Sequence, residues 1–218
     1  MKILVVGGGG REHAIIKKLK ENPAVTEIFA LPGNGGISAD ATCVPIGATD
    51  LDGIVQFAKE HPVDYAVVTP DDPLVLGCVD RLNEIGVPCF GPKQNAAILE
   101  GSKAFAKDLM KKYHIPTARY ETFSDLQAAL DYVQAQPLPL VVKADGLALG
   151  KGVLICQTRE EAIGAVTDMM ANAKFGKSGS TVVIEEFLEG PEVSVLAFTD
   201  GKTVKPMVSS MDHKRALD

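Results

Sequence analysis

The sequence predicts an α/β fold whose first part is a doubly wound parallel sheet and whose second part is an antiparallel sheet with helices to one side. Three observations predict it. Apolar runs typical of buried strands alternate with segments of helical periodicity over the first hundred residues. The first strand runs directly into a glycine loop and a helix. After residue 100 the pattern changes, and TDGKT (199–203) suits the turn of a hairpin.

Each element of the first part has a local reason. Continuous apolar runs mark buried strands, and helices are marked by apolar residues three or four positions apart. Asp50 is a candidate N-cap, and the last helix has a proline at its start and a glycine at its end. The predicted strands are KILVV (2–6), TEIFAL (26–31), DYAVV (64–68) and VPCFG (87–91), and the predicted helices cover 11–22, 50–61 and 73–86.

The second part is interpreted in the same way, with a domain boundary after residue 100. Ser124 is the expected cap of its second helix. The predicted helices cover 103–113, 124–136 and 159–171, and the predicted strands lie in 138–144, 153–158, 180–188 and 192–208. The expected domains are therefore 1–100 and 101–218.

Composition excludes some classes of function. With 46% hydrophobic and 23% charged residues the chain is an ordinary globular protein, and its net charge of -6 argues against one that coats nucleic acid. The chain starts with a strand, and no apolar run is long enough to cross a bilayer, so we expect a cytoplasmic protein without membrane partners. The four cysteines form no C-x-x-C pair, which favours free thiols over zinc.

The glycine run VVGGGGREHA invites a dinucleotide-binding interpretation, because a strand, glycines and a helix N-terminus suit a phosphate. The fingerprint is incomplete. Glu12 or His13 stands where the third glycine belongs, and the second strand ends FALPGNGG, without the acid that would hold a ribose. We expect a phosphate other than that of NAD, and a tight turn without a ligand is the alternative.

Two carboxylates follow the strand at 64–68. Asp71 and Asp72 lie just past its carboxyl end, where ligands of open α/β sheets bind, and carboxylates there can accept hydrogen bonds from sugar hydroxyls. The alternative is a charge pair at a helix N-terminus, stabilised by the helix dipole.

The stretch KADGLALGKG resembles a phosphate loop but departs from the P-loop pattern. Gly146 and Gly150 enclose three residues instead of four, and Lys151 is followed by Gly152. We interpret it as a flexible hairpin whose backbone and lysines hold phosphates, with a mobile surface loop as the alternative. In IEEFLEGPEVS, strand alternation turns Glu185 and Glu186 to opposite faces, and simple exposure is the alternative for both.

Together these stretches resemble the glycinamide ribonucleotide synthetases of the ATP-grasp superfamily. The resemblance runs the full length of the chain and is strongest in GGREHA, PGNGG, PLVLG, FGP, LEGSKAFAKDLM, IPTARYETF, VVKADGLALGKGV, VVIEEFLEGPEVS and DHKRALD. It implies a Rossmann-like, pre-ATP-grasp domain over 1–100, followed by an incomplete ATP-grasp domain with a lid subdomain at about 120–190.

The resemblance also implies an activity. Enzymes of this family join glycine to 5-phosphoribosylamine in de novo purine biosynthesis, with cleavage of ATP to ADP and phosphate and a glycyl phosphate intermediate. The implied cofactors are ATP and Mg²⁺ or Mn²⁺, the implied partners are small molecules only, and we expect a monomer.

Site residues follow from the resemblance, position by position. Lys103, Lys143 and 146–152, including Gly146, Gly150, Lys151 and Gly152, are expected at the ATP phosphates, and Glu185, Glu186, Phe187 and Leu188 at the adenine. Glu192 is expected at the nucleotide ribose. Gly9, Gly10, Arg11, Glu12 and Asp71 are expected to bind phosphoribosylamine, and Asp212, Lys214 and Arg215 to face the reaction centre.

Three departures from the family pattern matter. Asp71 replaces the usual glutamate, Met211 replaces the usual glutamine, and the family continues about as far again beyond residue 218, where its magnesium ligands lie. We therefore expect an N-terminal half that holds no metal site and is inactive alone. Another ATP-grasp carboxylate–amine ligase and a non-catalytic nucleotide-binding module are the alternatives.

Overall fold

The structure is a computed structural model that describes residues 1–147, 152–172 and 179–211. The chain divides into two compact units, residues 1–186 and 187–218, which are described separately. Within the described residues, no helix is both long and apolar enough to cross a membrane.

The first sheet of unit one is parallel and doubly wound, as the sequence predicted. Its strands are β1 (Lys2–Gly7), β2 (Glu27–Pro32), β3 (Thr42–Cys43), β4 (Tyr65–Val68) and β5 (Cys89–Phe90), in the spatial order β3-β2-β1-β4-β5. Alternate β1 residues enter two separate cores, with Leu4 and Val6 on one face and Ile3 and Val5 on the other. Helices α1 (Gly10–Lys20) and α2 (Leu51–Glu60) contribute Ile16 and Ile54 to opposite faces.

The helix predicted over 73–86 is wrong as a single element. The structure has α3 (Asp71–Val75) and α4 (Cys78–Glu84), separated at Gly77, whose φ of +90° lies in the left-handed region that interrupts a right-handed helix. The first helix also begins two residues before Pro73, so Asp71 and Asp72 form its first turn. α5 (Gln94–Gly101), which follows, was not predicted.

The second sheet of unit one is antiparallel, again as predicted. Its strands are β6 (Tyr120–Phe123), β7 (Leu140–Ala144), β8 (Val153–Cys156) and β9 (Val182–Glu186), in the order β6-β9-β7-β8. The helices of this part are α6 (Lys103–Lys112), α7 (Leu126–Ala135) and α8 (Arg159–Met170). β6 was not predicted.

Strand alternation divides the second sheet into an apolar face and a polar face. Val142 and Ile184 are buried in the core that α7 and α8 cover. Lys143 and Glu185, one position along each strand, therefore point to the other face, where α6 supplies Lys107. This face carries the candidate site.

The cap of α7 is Asp125 and not Ser124. The Asp125 side chain accepts a hydrogen bond from Ala128 N, whereas the Ser124 hydroxyl is bonded to the Thr181 hydroxyl at 2.9 Å. The prediction of Ser124 was therefore wrong by one position, because carboxylates and hydroxyls are both good caps and the next residue is an aspartate.

Replacement of Asp125 by alanine is expected to lower the free energy of unfolding by about 1 kcal/mol, because the N-terminal amide of α7 loses its acceptor. Chemical denaturation followed by circular dichroism measures this change. Gln127→Ala, in the first turn of the same helix, is the control, since among the described residues the Gln127 side-chain amide donates to the exposed Asp131 side chain and does not cap the helix. Equal losses in the two variants would contradict the assignment of the cap.

Unit two contains the predicted hairpin. β10 (Ala197–Thr199) pairs antiparallel with β11 (Val204–Pro206), and the strands are shorter than the predicted run over 192–208. In the turn, Gly201 has a φ of +87° and the Asp200 carboxylate accepts hydrogen bonds from Lys202 N and Thr203 N. These backbone hydrogen bonds lower the pKa of Asp200, the bond from Thr203 most of all.

Candidate functional site

The glycine loop between β1 and α1 is fastened by a buried carboxylate. Glu12 Oε2 accepts a hydrogen bond from Gly9 N at 2.7 Å, and Glu12 Oε1 accepts one from the Thr69 hydroxyl at 2.8 Å. Glu12 is only 6% exposed. It therefore ties the glycine loop to the segment that follows β4, at the carboxyl edge of the sheet.

A second glycine loop, PGNGG after β2, supports the first one. Asn34 Nδ2 donates to Gly8 O at 2.7 Å, and Gly33 N donates to Gly7 O at 3.1 Å. The side-chain amide oxygen of Asn34, Oδ1, also accepts a hydrogen bond from Ile37 N at 2.8 Å. Asn34 was not among the predicted site residues, and the signal that could have found it is an amide side chain set among the glycines of PGNGG.

The first glycine loop and the segment that follows β4 line a cavity of about 360 Å³, which we call the glycine-loop cavity; its lining is residues 9–12 and 69–72. It brings together the five residues predicted to bind phosphoribosylamine: Gly9, Gly10, Arg11, Glu12 and Asp71. The free N–H groups at the start of α1 and the Arg11 guanidinium suit an anion, and the carboxylates suit hydroxyl or amine groups.

A second cavity, of about 460 Å³, adjoins the polar face of the second sheet, and we call it the lysine cavity. Lys103, Lys143, Gly152 and Glu185, all predicted at the nucleotide, line it. Asp71 and Asp72 also line it, so the two cavities share these two residues as a wall. Lys107 lines it as well and was not predicted.

Glu185 is the buried anion of the lysine cavity. Its carboxylate is 5% exposed and lies between two ammonium groups, with Lys107 Nζ 2.9 Å from Oε2 and Lys143 Nζ 2.9 Å from Oε1. The Lys143 contact has the distance of an ion pair but not hydrogen-bond geometry, because Glu185 Oε1 has no hydrogen-bond partner among the described residues. Lys143 is thus within ion-pair distance of Glu185 but does not donate a hydrogen bond to it.

Lys103 reaches the cavity from the first turn of α6. Its ammonium donates to Gly146 O at 2.8 Å, in the loop that follows β7. Burial lowers the pKa of Lys103, and the Asp145 charge opposes this effect. Asp145 also accepts hydrogen bonds from the Ser102 hydroxyl and from Ala104 N, which fixes the start of α6 against the loop.

Glu186, which was also predicted at the adenine, is paired with an arginine. The Glu186 carboxylate accepts hydrogen bonds from Arg119 N at 2.9 Å and Arg119 Nε at 2.7 Å, which lower its pKa. Phe187, Leu188 and Glu192 belong to unit two. Gly150, Lys151, Asp212, Lys214 and Arg215 lie outside the described residues.

A polar cluster lies beside the PGNGG loop. Asp40 pairs with Lys20 Nζ at 2.8 Å and with His13 Nε2 at 2.9 Å. Hydrogen bonds from Lys20 and then His13 lower the pKa of Asp40 to about 2. The folded state therefore binds the Asp40 proton more weakly than the unfolded chain does.

Asp40 is expected to make the free energy of unfolding depend on pH in the acidic range. Its contribution is full above its unfolded pKa of 3.8 and is lost as the pH falls toward its folded pKa of about 2. Between pH 5 and pH 2, Asp40→Asn should therefore lose less unfolding free energy than the parent, as urea denaturation at each pH would measure. Parallel pH profiles for the two proteins would contradict this.

Within the described part of the chain, no group of three or more His, Cys, Asp or Glu side chains is arranged to hold a metal ion. The expectation that metal ligands lie beyond residue 218 stays a prediction.

Comparison with known families gives two matches that cover the chain. Residues 1–100 match the phosphoribosylglycinamide synthetase N domain, and residues 101–218 match the phosphoribosylglycinamide synthetase ATP-grasp (A) domain. A phosphoribosylamine–glycine ligase of Halalkalibacterium halodurans is 51% identical over 218 residues, and one of Vibrio cholerae is 48% identical over 220. Each alignment covers 100% of this chain and 51% of the relative, so the chain spans about half the length of these curated relatives.

Solved structures agree with this. The crystal structure of phosphoribosylamine–glycine ligase from Thermotoga maritima has a TM-score of 0.83 at 33% identity, over 99% of this chain and 51% of that one. Biotin carboxylase from Campylobacter jejuni, solved as a β,γ-ATP complex, shares the fold at 16% identity, with a TM-score of 0.77 over 94% of this chain and 49% of that one. The chain belongs to the phosphoribosylglycinamide synthetase family, with regions that match its N domain and its ATP-grasp (A) domain.

Proposed function

We propose that the protein carrying this chain ligates glycine to 5-phosphoribosylamine and cleaves ATP to ADP and phosphate, with glycyl phosphate as the intermediate. One observation carries the proposal. A cavity suited to a sugar phosphate and a cavity suited to a polyphosphate share the Asp71–Asp72 wall. Two substrates bound on either side of one wall are close enough for their reacting groups to be positioned together.

The glycine-loop cavity is the proposed phosphoribosylamine site. The Gly10 N–H at the start of α1 and the Arg11 guanidinium would hold the phosphate, and Gly9, whose N–H is bonded to Glu12, would line the pocket. Glu12 would act mainly by fixing the loop, because both of its oxygens already accept hydrogen bonds from the protein. Asp71 would accept from the ribose hydroxyls.

The lysine cavity is the proposed ATP phosphate site. The described residues fit a polyphosphate, because the ammonium groups of Lys103 and Lys143 line the cavity while Lys107 is paired with the buried Glu185. The acidic residues of the same lining are Asp71, Asp72, Glu100 and Glu185. Lys103 and Lys143 would contact phosphate oxygens, and the backbone of Gly146 and Gly152 would approach them, together with Gly150 and Lys151. Phosphates bound in this way would have their negative charge stabilised by the lysines and would be shielded from water.

The adenine and ribose contacts are proposed by resemblance. Glu185, Glu186, Phe187 and Leu188 would form the adenine site, and Glu192 would bind the ribose. Asp212, Lys214 and Arg215 would face the reaction centre. A nucleotide is consistent with one structural neighbour: a Hydrogenobacter thermophilus biotin carboxylase domain of the same fold, at 21% identity, was solved with MgADP.

Magnesium, or manganese, is the proposed metal. A divalent cation bound at the ATP phosphates would neutralise part of their charge. The described residues do not supply the cluster of oxygen ligands that such an ion takes. We also propose a domain boundary after residue 100, a monomeric protein and a cytoplasmic location.

The test is a substrate-omission assay on the full-length protein that carries this sequence. ATP, magnesium, glycine and freshly made phosphoribosylamine are supplied, and both phosphate release and the mass of the product are followed. Turnover that requires all the substrates supports the proposal. Turnover with a different carboxylate or amine would indicate another ATP-grasp ligase, and nucleotide binding without turnover on any pair would indicate a non-catalytic module.

A further inference from the structure

Lys107 is a buried lysine with a complete set of partners inside the protein. It lies on α6 one turn after Lys103 and is 7% exposed. Its ammonium is 2.9 Å from Glu185 Oε2 and donates to the Thr117 hydroxyl at 2.7 Å and to Ala118 O at 3.4 Å. Three donors thus meet three acceptors, which leaves none for a ligand.

Lys143 is in the opposite situation. Its side chain is 25% exposed where it lines the lysine cavity, and its partner among the described residues is Glu185 alone. The 2.9 Å contact between Lys143 Nζ and Glu185 Oε1 lacks hydrogen-bond geometry. The Lys143 ammonium therefore keeps its donors available on the side that faces the cavity.

One carboxylate, Glu185, lies between two ammonium groups, so it can form a full ion pair with Lys107 and leave Lys143 available. Lys107, Glu185 and Lys143 carry two positive charges and one negative charge, so the group has a net charge of about +1. If Lys107 were neutral, the buried Glu185 carboxylate would have Lys143 as its single ionic partner. A buried carboxylate binds its partner strongly in these low-dielectric surroundings, so Lys143 would be drawn into a neutral pair and withdrawn from the cavity.

We propose that Lys107 is a positioning residue that neutralises Glu185 and thereby leaves the Lys143 ammonium free to bind an anionic ligand in the lysine cavity. This inference rests on the proposed function, since the anion is taken to be the phosphate chain of ATP. Lys107 itself does not touch the ligand.

The inference predicts an interaction between two substitutions. Lys107→Met keeps the length of the side chain and removes its charge, and it should weaken ATP binding at least about tenfold, since removing a charged partner typically costs that much. In a protein that already carries Glu185→Gln, there is no carboxylate to capture Lys143. There, the added Lys107→Met change should alter ATP affinity by less than about threefold.

The experiment is titration calorimetry of ATP, without turnover, on the full-length protein and its variants. Lys107→Arg should retain affinity, because the positive charge is kept. Lys111→Met is the matched control. Both lysine ammonium groups lie over the Tyr120 ring, that of Lys107 5.4 Å and that of Lys111 5.9 Å from its centroid, but Lys111 is exposed, one turn further along α6. Circular dichroism and thermal melting establish that each variant is folded.

The outcomes separate the two proposals. If the parent does not bind ATP, or if Lys143→Met does not weaken its binding, the proposed function of this cavity fails and the inference fails with it. If the parent binds ATP and Lys143→Met weakens it, the proposed site stands. Equal effects of Lys107→Met with and without Glu185→Gln, or a loss of melting temperature with unchanged affinity, would then overturn the inference alone by showing a purely structural role.

Discussion

Replacement of Lys143 by methionine is expected to weaken ATP binding by roughly 30- to 100-fold while leaving the fold intact. The size follows from the loss of charge-assisted hydrogen bonds, each of which contributes about 1.5–3 kcal/mol. The fold should survive because Lys143 lies on the polar face of the second sheet, and Glu185 keeps its ion pair with Lys107. Calorimetry gives the dissociation constant, and thermal melting gives the stability.

Lys112→Met serves as the control for this first variant. Lys112 is an exposed residue of α6 whose ammonium lies over the Tyr113 ring, 5.3 Å from its centroid, and it does not line the lysine cavity. Its replacement should leave ATP affinity within about twofold of the parent, as is usual for surface substitutions. An unchanged ATP dissociation constant in the Lys143 variant would remove the basis for placing phosphates in this cavity.

Gly8→Ala should abolish measurable binding of a sugar phosphate and destabilise the protein by about 1–3 kcal/mol. An added Cβ would collide with the carbonyl oxygen of Gly33, which is backbone and cannot turn aside. The two glycine loops would be forced apart, and the hydrogen bond from Asn34 to Gly8 O would be strained. Ribose 5-phosphate is a stable probe for this measurement, and calorimetry detects its binding.

The matched control for Gly8 is Gly35→Ala in the neighbouring loop. A Cβ at Gly35 would meet no atom within 4 Å, so ribose 5-phosphate affinity and stability should stay near those of the parent. ATP affinity should be retained in both variants, because Gly8 does not line the lysine cavity. Retained sugar phosphate binding in Gly8→Ala would show that the contact between the loops does not shape the site.

Local signals were enough for most of the fold. The apolar run of β1, the Asp50 cap and the TDGKT hairpin each depend on neighbouring residues, and each is confirmed. The two-residue strand β3 is too short to carry a periodic pattern, so it was missed. The break at Gly77 was also missed, because glycine is tolerated in some helices and its φ is fixed by tertiary packing.

The candidate site was predictable to the extent that its residues belong to sequence motifs. All five residues predicted to bind phosphoribosylamine line one cavity. Lys107 could not be found in this way. A lysine one turn after Lys103 normally lies in solvent, and only the approach of β9, some eighty residues later in the chain, gives it a buried carboxylate partner.

The wall shared by the two cavities has a thermodynamic consequence. Asp71 and Asp72 form the first turn of α3, and their carboxylates border both spaces, so the charge or position of a ligand on one side acts on the same groups that the other ligand meets. If the two proposed ligands bind there, we expect the binding of one to change the affinity for the other, and this coupling is reciprocal. Whatever factor the sugar phosphate applies to the nucleotide dissociation constant, the nucleotide applies to that of the sugar phosphate.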